Sequence, residues 1–308
     1  MSQRDVKNRI ASFKNVQKIT RAMEAVSAAR LRRAEQRIVA VRPYAGALRR
    51  MTRQAAEAAG SGETARLPLL AAHETEQRVG LLLVTADRGL AGAFNSQILR
   101  AGFRAGAELE AAGKTPVWFA SGRRGVSSLR FRNKEVTGAY TGFTDRPSYA
   151  DARKIAEDLV AAYVDGKIDR VEIFYNGFVS ALTQNVTHET LLPIAEATIL
   201  GGADADEPDA DADGDAGEKS GHRALVEYEP GPEEILRRLV PDYVEISIYR
   251  ALLDSTASEH GARMTAMRSA SENAGELIED LTLELNRARQ ADITAEIMEV
   301  VAGAESLV

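Results

Sequence analysis

The sequence predicts an α/β protein: an antiparallel coiled coil of long N- and C-terminal helices plus a central Rossmann-like α/β domain. Two observations carry that prediction. Residues 3–56 contain one Pro, Pro43, and one Gly, Gly46, and beyond Pro241 the chain to residue 302 is interrupted only by Gly261 and Gly275. Between these stretches, apolar runs of strand length alternate with helix-forming segments, the pattern of a sheet wound with helices. Helices that long cannot pack along a small domain, so they must find each other or a partner. The expected organisation is an N-terminal coiled-coil helix over 1–58, an α/β domain over 78–200, an acidic disordered loop over 201–221, and a short helix followed by a long coiled-coil helix over 230–308.

The first helix starts near Ser2, with Asp5 three residues on as a capping-box-like partner. Its apolar positions are Val6, Ile10, Phe13, Val16, Ile19, Met23 and Val26, then Leu31, Ala34, Ile38, Val41, Ala45 and Leu48. The second set keeps coiled-coil spacing. Extended backwards, that register passes through Gln17, Thr20, Glu24 and Ser27, so the stripe is expected to shift near Met23 as a stutter would shift it. Small residues such as Ala25, Ala28, Ala29 and Ala34 would let a partner helix come close.

After a polar linker over 57–77, Val79–Thr85 is a continuous apolar run, read as a buried parallel strand. The turn Asp87–Asn95 leads into a helix to about Ala112, then a strand over Thr115–Ala120. Ser148 and Asp151 cap a helix over Tyr149–Val164. Arg170–Tyr175 is a further strand, and the alternating Val186–Leu192 is a more exposed, antiparallel one. Residues 230–239 suggest a short helix, with Pro241 opening a new one. The last helix repeats apolar residues at heptad spacing from Ile246 through Tyr249, Leu253, Met264, Met267, Ala274, Ile278, Leu281, Leu285 and Ala288. It ends in an apolar tip: Ile293, Ile297, Val300 and Val301.

Charge divides along the chain. The first helix is strongly basic, whereas acids exceed bases from Glu233 to Glu305, so the two can complement each other. A solvated exterior explains many of the basic residues; a surface facing acidic partners explains them too. The formal net charge of -6 argues against a nucleic-acid binder. The absence of cysteine excludes disulfides and thiolate chemistry, and the four histidines form no metal-ligand pair. The Asp run at 201–221 lacks the EF-hand spacing. Neither a signal peptide nor a membrane-length apolar run is legible.

The glycines of Gly89–Leu90–Ala91–Gly92 could cradle a phosphate at a strand-to-helix turn. They match no dinucleotide or P-loop pattern, so a tight turn with close helix packing is the structural alternative. Two further function classes therefore stand beside the shaft: a nucleotide-binding enzyme using this turn, and a scaffold binding membranes or nucleic acid through the basic helix.

At the two ends, VKNRIASFKNVQKITRAMEAVSAARLRRA and SEHGARMTAMRSASENAGELIEDLTLELNRARQADITAEIMEVVAGA resemble the terminal helices of the gamma subunits of F-type ATP synthases. VTADRGLAGAFNSQI, YNGFVSALTQ, LLP and EYEPGPEEIL resemble that family's signatures in the same order, so the resemblance spans essentially the whole chain. It implies a non-catalytic rotor that couples proton flow through the membrane sector to ATP synthesis on the beta subunits and regulates ATPase activity. It implies alpha, beta and epsilon subunits and a membrane rotor ring as partners. It implies a peripheral position on the cytoplasmic face of the membrane, and no cofactor, metal or catalytic residue. By the same resemblance, Lys14, Lys18, Arg21, Met23, Arg30, Arg33, Arg263, Arg289, Gln290, Thr294, Ile297 and Val301 contact alpha and beta, while Tyr228 and Glu229 contact the rotor ring.

Overall fold

In the computed structural model, which describes residues 3–59, 67–194 and 231–305, the elements follow the expected alternation. They are α1 (Gln3–Ala59), β1 (Arg78–Val84), α2 (Phe94–Ala111), β2 (Thr115–Ser121), α3 (Arg123–Phe131), β3 (Val136–Tyr140), α4 (Tyr149–Val164), β4 (Arg170–Phe178), β5 (Gln184–Leu192) and α5 (Pro232–Glu305). The sheet order is β3-β2-β1-β4-β5. β1 to β4 are parallel, and β5 runs antiparallel to β4 at the edge, as its alternation predicts. The Ser148–Asp151 capping box opens α4.

Sheet faces bury two cores. Val79, Leu81, Leu83 and Phe174 meet α2 and α3 through Ile98, Leu109 and Leu129. Leu82, Val84, Ile173 and Tyr175 meet α4 and the first turns of α5 through Ile155, Leu159, Leu236 and Val244. Helix α2 lies so close to the sheet that a Cβ on Gly106 would come within 2.6 Å of the Trp118 ring. Such an approach is open only to glycine.

Two elements, α3 and β3, escape the sequence reading. α3 is nine residues with Gly125 inside it, a poor helix by propensity. Gly125 is required there: its N–H donates to Thr85 Oγ1 at 2.8 Å, and a Cβ would sit 2.8 Å from the same oxygen. β3 is five residues with a Gly at its centre, so it carries no apolar run.

The break expected at Pro241 does not occur; α5 is one helix with Pro241 inside it. An internal Pro forfeits a backbone hydrogen bond and costs about 3 kcal/mol. Leu236 and Val240 before it, and Val244 and Ile248 after it, are all buried on the same sheet face. Four such side chains contribute roughly 1.5–3 kcal/mol each, which outweighs the proline.

The sheet's lower edge is stapled by Asp169. Its Oδ2 accepts N–H bonds from Gln77 (2.9 Å) and Arg78 (2.8 Å), and its Oδ1 meets His73 Nδ1 at 3.2 Å. Burial pushes this carboxyl up, but the Arg78, Gln77 and His73 donors outweigh burial and hold it below the ordinary aspartate range. Its contribution to stability is therefore present above the unfolded-state value and lost as pH falls through the folded one. Asp169→Ala should cost about 1–3 kcal/mol in urea unfolding at neutral pH, and less in acid, because the Gln77 and Arg78 N–H groups lose a charged acceptor.

α1 and α5 form the antiparallel pair. Val6 and Ile10 pack on Leu281, and Leu31 and Ala34 on Ala257. Between these, Gln17 Nε2 reaches the Ser271 carbonyl (3.4 Å) and Arg268 Nε pairs with Glu24 Oε1 (2.9 Å). At 1.5 Å per residue the 57-residue α1 is about 85 Å long and the 74-residue α5 about 110 Å.

Candidate partner-docking surface

The packing seam of α1 does not shift near Met23; the apolar stripe leaves it. Thr20 and Ser27 are buried against α5, in line with Ile10 and Leu31, so the contact follows the heptad register straight through polar residues. The expected stutter is corrected accordingly. The seam can be polar here because small residues face it: Ser271 and Ala274 are buried and Gly275 lies beside Gln17. Thr20 and Ser27 return their hydroxyls to their own helix, at Gln17 O and Met23 O. The apolar residues thereby released are exposed: Val16 by 46%, Ile19 by 59% and Val26 by 52%. With Met23 they occupy one helix face at three-four spacing, uncovered by any described residue.

That face looks onto the turn after β1. Asp87 builds the turn: its carboxylate accepts from the N–H groups of Arg123 (3.0 Å) and Gly142 (2.8 Å) and from Thr144 Oγ1 (3.1 Å). Asn95 closes the other end, with its Oδ1 accepting from the Ala86 N–H at 2.9 Å. The tight-turn reading holds in its geometry at Gly92, which has φ +53°, while Gly89 lies beneath the Arg124 guanidinium. Between them Leu90 is held at φ 63° and is 64% exposed. A non-glycine residue there costs about 1 kcal/mol or more, and the apolar side chain so presented lines the same cleft as the released face. The cleft holds about 500 Å³, with Ile19, Met23, Val26 and Leu90 as its floor and Arg30, Arg88, Arg124 and Arg263 around it.

Arg263 is set by a buried ionic cluster. It forms an ion pair with Glu259, donates through Nη2 to the Gly89 carbonyl (3.3 Å) and approaches His260 Nδ1 at 3.4 Å. Burial pushes the Glu259 carboxyl up to about 7, against the pull of Arg263, and burial pushes His260 down to about 4. Arg263 is 7% exposed, so it ties α5 to the turn and shows only its edge to the cleft.

The remaining candidates fall into separate places. Arg30 lines the cleft and is ion-paired to Asp145. Lys14, Lys18 and Arg21 are exposed on α1, and Arg33 lines a neighbouring cleft with Arg37 and Arg146. Arg289, Gln290, Thr294 and Ile297 are exposed on the far end of α5, beyond the last residues that α1 covers. Val301 belongs to that helix, but its side chain is outside the described set. Tyr228, Glu229, Ser2 and the acidic 201–221 segment lie outside the described residues. Leu90, Arg88 and Arg124 were missed by sequence reasoning. Leu90 and Arg88 belong to the turn signature, whereas Arg124 comes from α3, which no local sequence signal marks.

Among the described residues, no helix is long and apolar enough to cross a membrane. A two-helix shaft carrying a three-layer α/β domain is the architecture that comparison with known proteins recovers. The ATP synthase family model matches residues 2–307. The chain is 43% identical to the ATP synthase gamma chain of Rubrobacter xylanophilus over 99% of its own length and 98% of that protein's. It is 42% identical to that of Moorella thermoacetica, over 99% and 98%. The chain therefore belongs to the ATP synthase gamma chain family. Its fold is also that of a chain in the Euglena gracilis mitochondrial ATP synthase rotor (TM-score 0.63, 17% identity, 94% of this chain and 98% of that one). A chain in the central stalk structure of the Tetrahymena thermophila enzyme is likewise similar (TM-score 0.59, 24% identity, 82% and 99%).

Proposed function

We propose that this chain is the central-stalk rotor of an F-type ATP synthase. It transmits rotation between a membrane rotor ring and a head of alpha and beta subunits, with epsilon beside it. It does so without catalytic residues or a cofactor of its own. The observation that carries this reading is the unpartnered far end of α5. Thr282 onward is largely exposed, and among the described residues Ile293, Ile297, Met298 and Val300 stand in solvent on a stretch of helix that no other described element covers. Apolar residues on a lone helix call for a surrounding partner. A ring of subunits closed around the shaft end supplies one.

The mid-shaft cleft supports the same reading. Its apolar floor and basic rim suit acidic loops of the beta subunits, with Lys14, Lys18, Arg21, Met23, Arg30 and Arg33 along the approach. The edge of Arg263 completes the rim, while Arg289, Gln290, Thr294, Ile297 and Val301 meet alpha and beta nearer the tip. Tyr228 and Glu229 are assigned to the rotor ring on family resemblance. Membrane association then runs through that ring, on the cytoplasmic face, and nucleic acid plays no part. Because the cleft is built on α1 and the apolar residues of the tip on the far end of α5, rotation presents different surfaces to each beta subunit in turn.

Co-expression with alpha and beta subunits tests the proposal. An ATPase-active complex containing this chain is the expected result; alpha and beta purifying without it would overturn the assignment.

A further inference from the structure

A second groove lies on the outer face of the α/β domain, between α2 and α3. It holds about 690 Å³ and is lined by Leu99, Phe103 and Phe131 together with Arg100, Arg124 and Arg132. Phe131 is 88% exposed, the most exposed large apolar side chain among the described residues. Arg132 lies over the Phe103 ring at 4.3 Å, and Phe103 leans on Trp118 at 5.7 Å, so this aromatic shelf is built from the core outward.

The charge of the groove is one-sided. Among the described residues, none of the three arginines pairs with a carboxylate. The acids of the two helices, Glu108 and Glu110, are engaged by Arg104 (2.9 Å) and Lys134 (2.6 Å). Unpaired arginines around an exposed aromatic make the composition of an interface core. Arg100, Arg124, Phe131 and Arg132 are all exposed, so a small anion bound here would stay hydrated, whereas ligand pockets bury most of their ligand. A polypeptide can cover Phe131 and neutralise the arginines together. The groove is also continuous with the cleft beside α1: Arg124 lines both, and its guanidinium lies across Gly89 in the turn that carries Leu90.

We propose that the α2/α3 groove is a second docking site. It takes an acidic segment with a bulky apolar residue among its carboxylates, carried by the same partner chain that fills the cleft. The partner thereby grips the α/β domain as well as the shaft, with Arg124 as the shared corner. The inference rests on the assembly reading above.

The chain has no cysteine, so single cysteines report without interference. Ser127→Cys in the groove and Ala22→Cys in the cleft, each carrying a maleimide photocrosslinker, are placed in the reconstituted complex with alpha, beta and epsilon. Illumination should join both positions to the same chain, with the Ser127→Cys adduct in a peptide rich in Asp and Glu. Adding Arg100→Ala and Arg132→Ala should lower that adduct roughly fivefold while the Ala22→Cys adduct persists. The inference is overturned by an Ala22→Cys adduct without a Ser127→Cys one. It is overturned equally by an adduct on a neutral or basic segment, or by a yield indifferent to the arginines. Absence at both positions overturns the reading of the cleft itself.

Discussion

Replacing Glu259 with alanine is expected to destabilise the chain by about 1–3 kcal/mol, because the buried Arg263 loses the side-chain oxygen to which its Nη2 donates. Glu259 and Arg263 are one helical turn apart on α5, and both are almost fully buried where α5 meets the turn before α2. Only the edge of Arg263 that faces the cleft is open to water. The Gly89 carbonyl remains its nearest acceptor, and a neutral oxygen does not compensate a full charge. A loss below about 1 kcal/mol in chemical unfolding would show that Asp145 or solvent takes over the pairing.

The same cluster makes two opposed contributions to pH dependence. Burial raises Glu259 from its ordinary 4.5 to about 7, so its share of stability is complete below 4.5 and is lost as pH rises through 7. Burial lowers His260 from 6.5 to about 4, so its share is present above 6.5 and is lost as pH falls through 4. Asp145, Asp87, Arg30 and Arg263 are the charges around them. The two slopes oppose each other between pH 4.5 and 6.5. Glu259→Gln should therefore uncover a Tm that rises with pH across that interval, and His260→Asn one that falls. Parallel profiles in the two variants would contradict the opposed assignments.

Met23→Lys is expected to leave the chain folded and to weaken coupling between rotation and synthesis. Met23 is half-buried at the floor of the cleft, outside the seam with α5, so its loss should change stability by only about 0.5 kcal/mol. For a docked partner the change is larger. A lysine removes an apolar contact and adds a cation to a rim that already holds Arg30, Arg88, Arg124 and Arg263. Burying that cation against an apolar surface costs about 1–3 kcal/mol, while pairing it with an acidic loop would hold the rotor at one angle. Either outcome lowers the number of ions pumped per ATP hydrolysed by the reconstituted complex. An unchanged ratio would place the docking surface elsewhere on the shaft.

Much of the fold was legible in the residues. The continuous apolar run of β1, the alternation of β5 and the Ser148–Asp151 cap each follow from local physics acting over a few residues. α3 and β3 were not legible, because each depends on a partner distant in sequence. Gly125 is accepted in a helix only because Thr85 accommodates its backbone, and β3 is a strand only because β2 offers an edge. Pro241 misled for the same reason: the helix persists through it because the sheet holds Leu236, Val240, Val244 and Ile248 in one frame.

The docking cleft shows where the division falls. Heptad spacing at both ends and opposite charge on the two helices determined, from sequence, that the ends pair over an inserted α/β domain. The run of Val16, Ile19, Met23 and Val26 was visible too, but its role could not be assigned. An apolar stripe on an isolated helix has no information about which face its partner will take. Only the tertiary structure decided that the small residues Ser271, Ala274 and Gly275 draw the seam onto Gln17, Thr20 and Ser27. Close backbone approach won over apolar matching, and the displaced apolar face was left exposed beside Leu90.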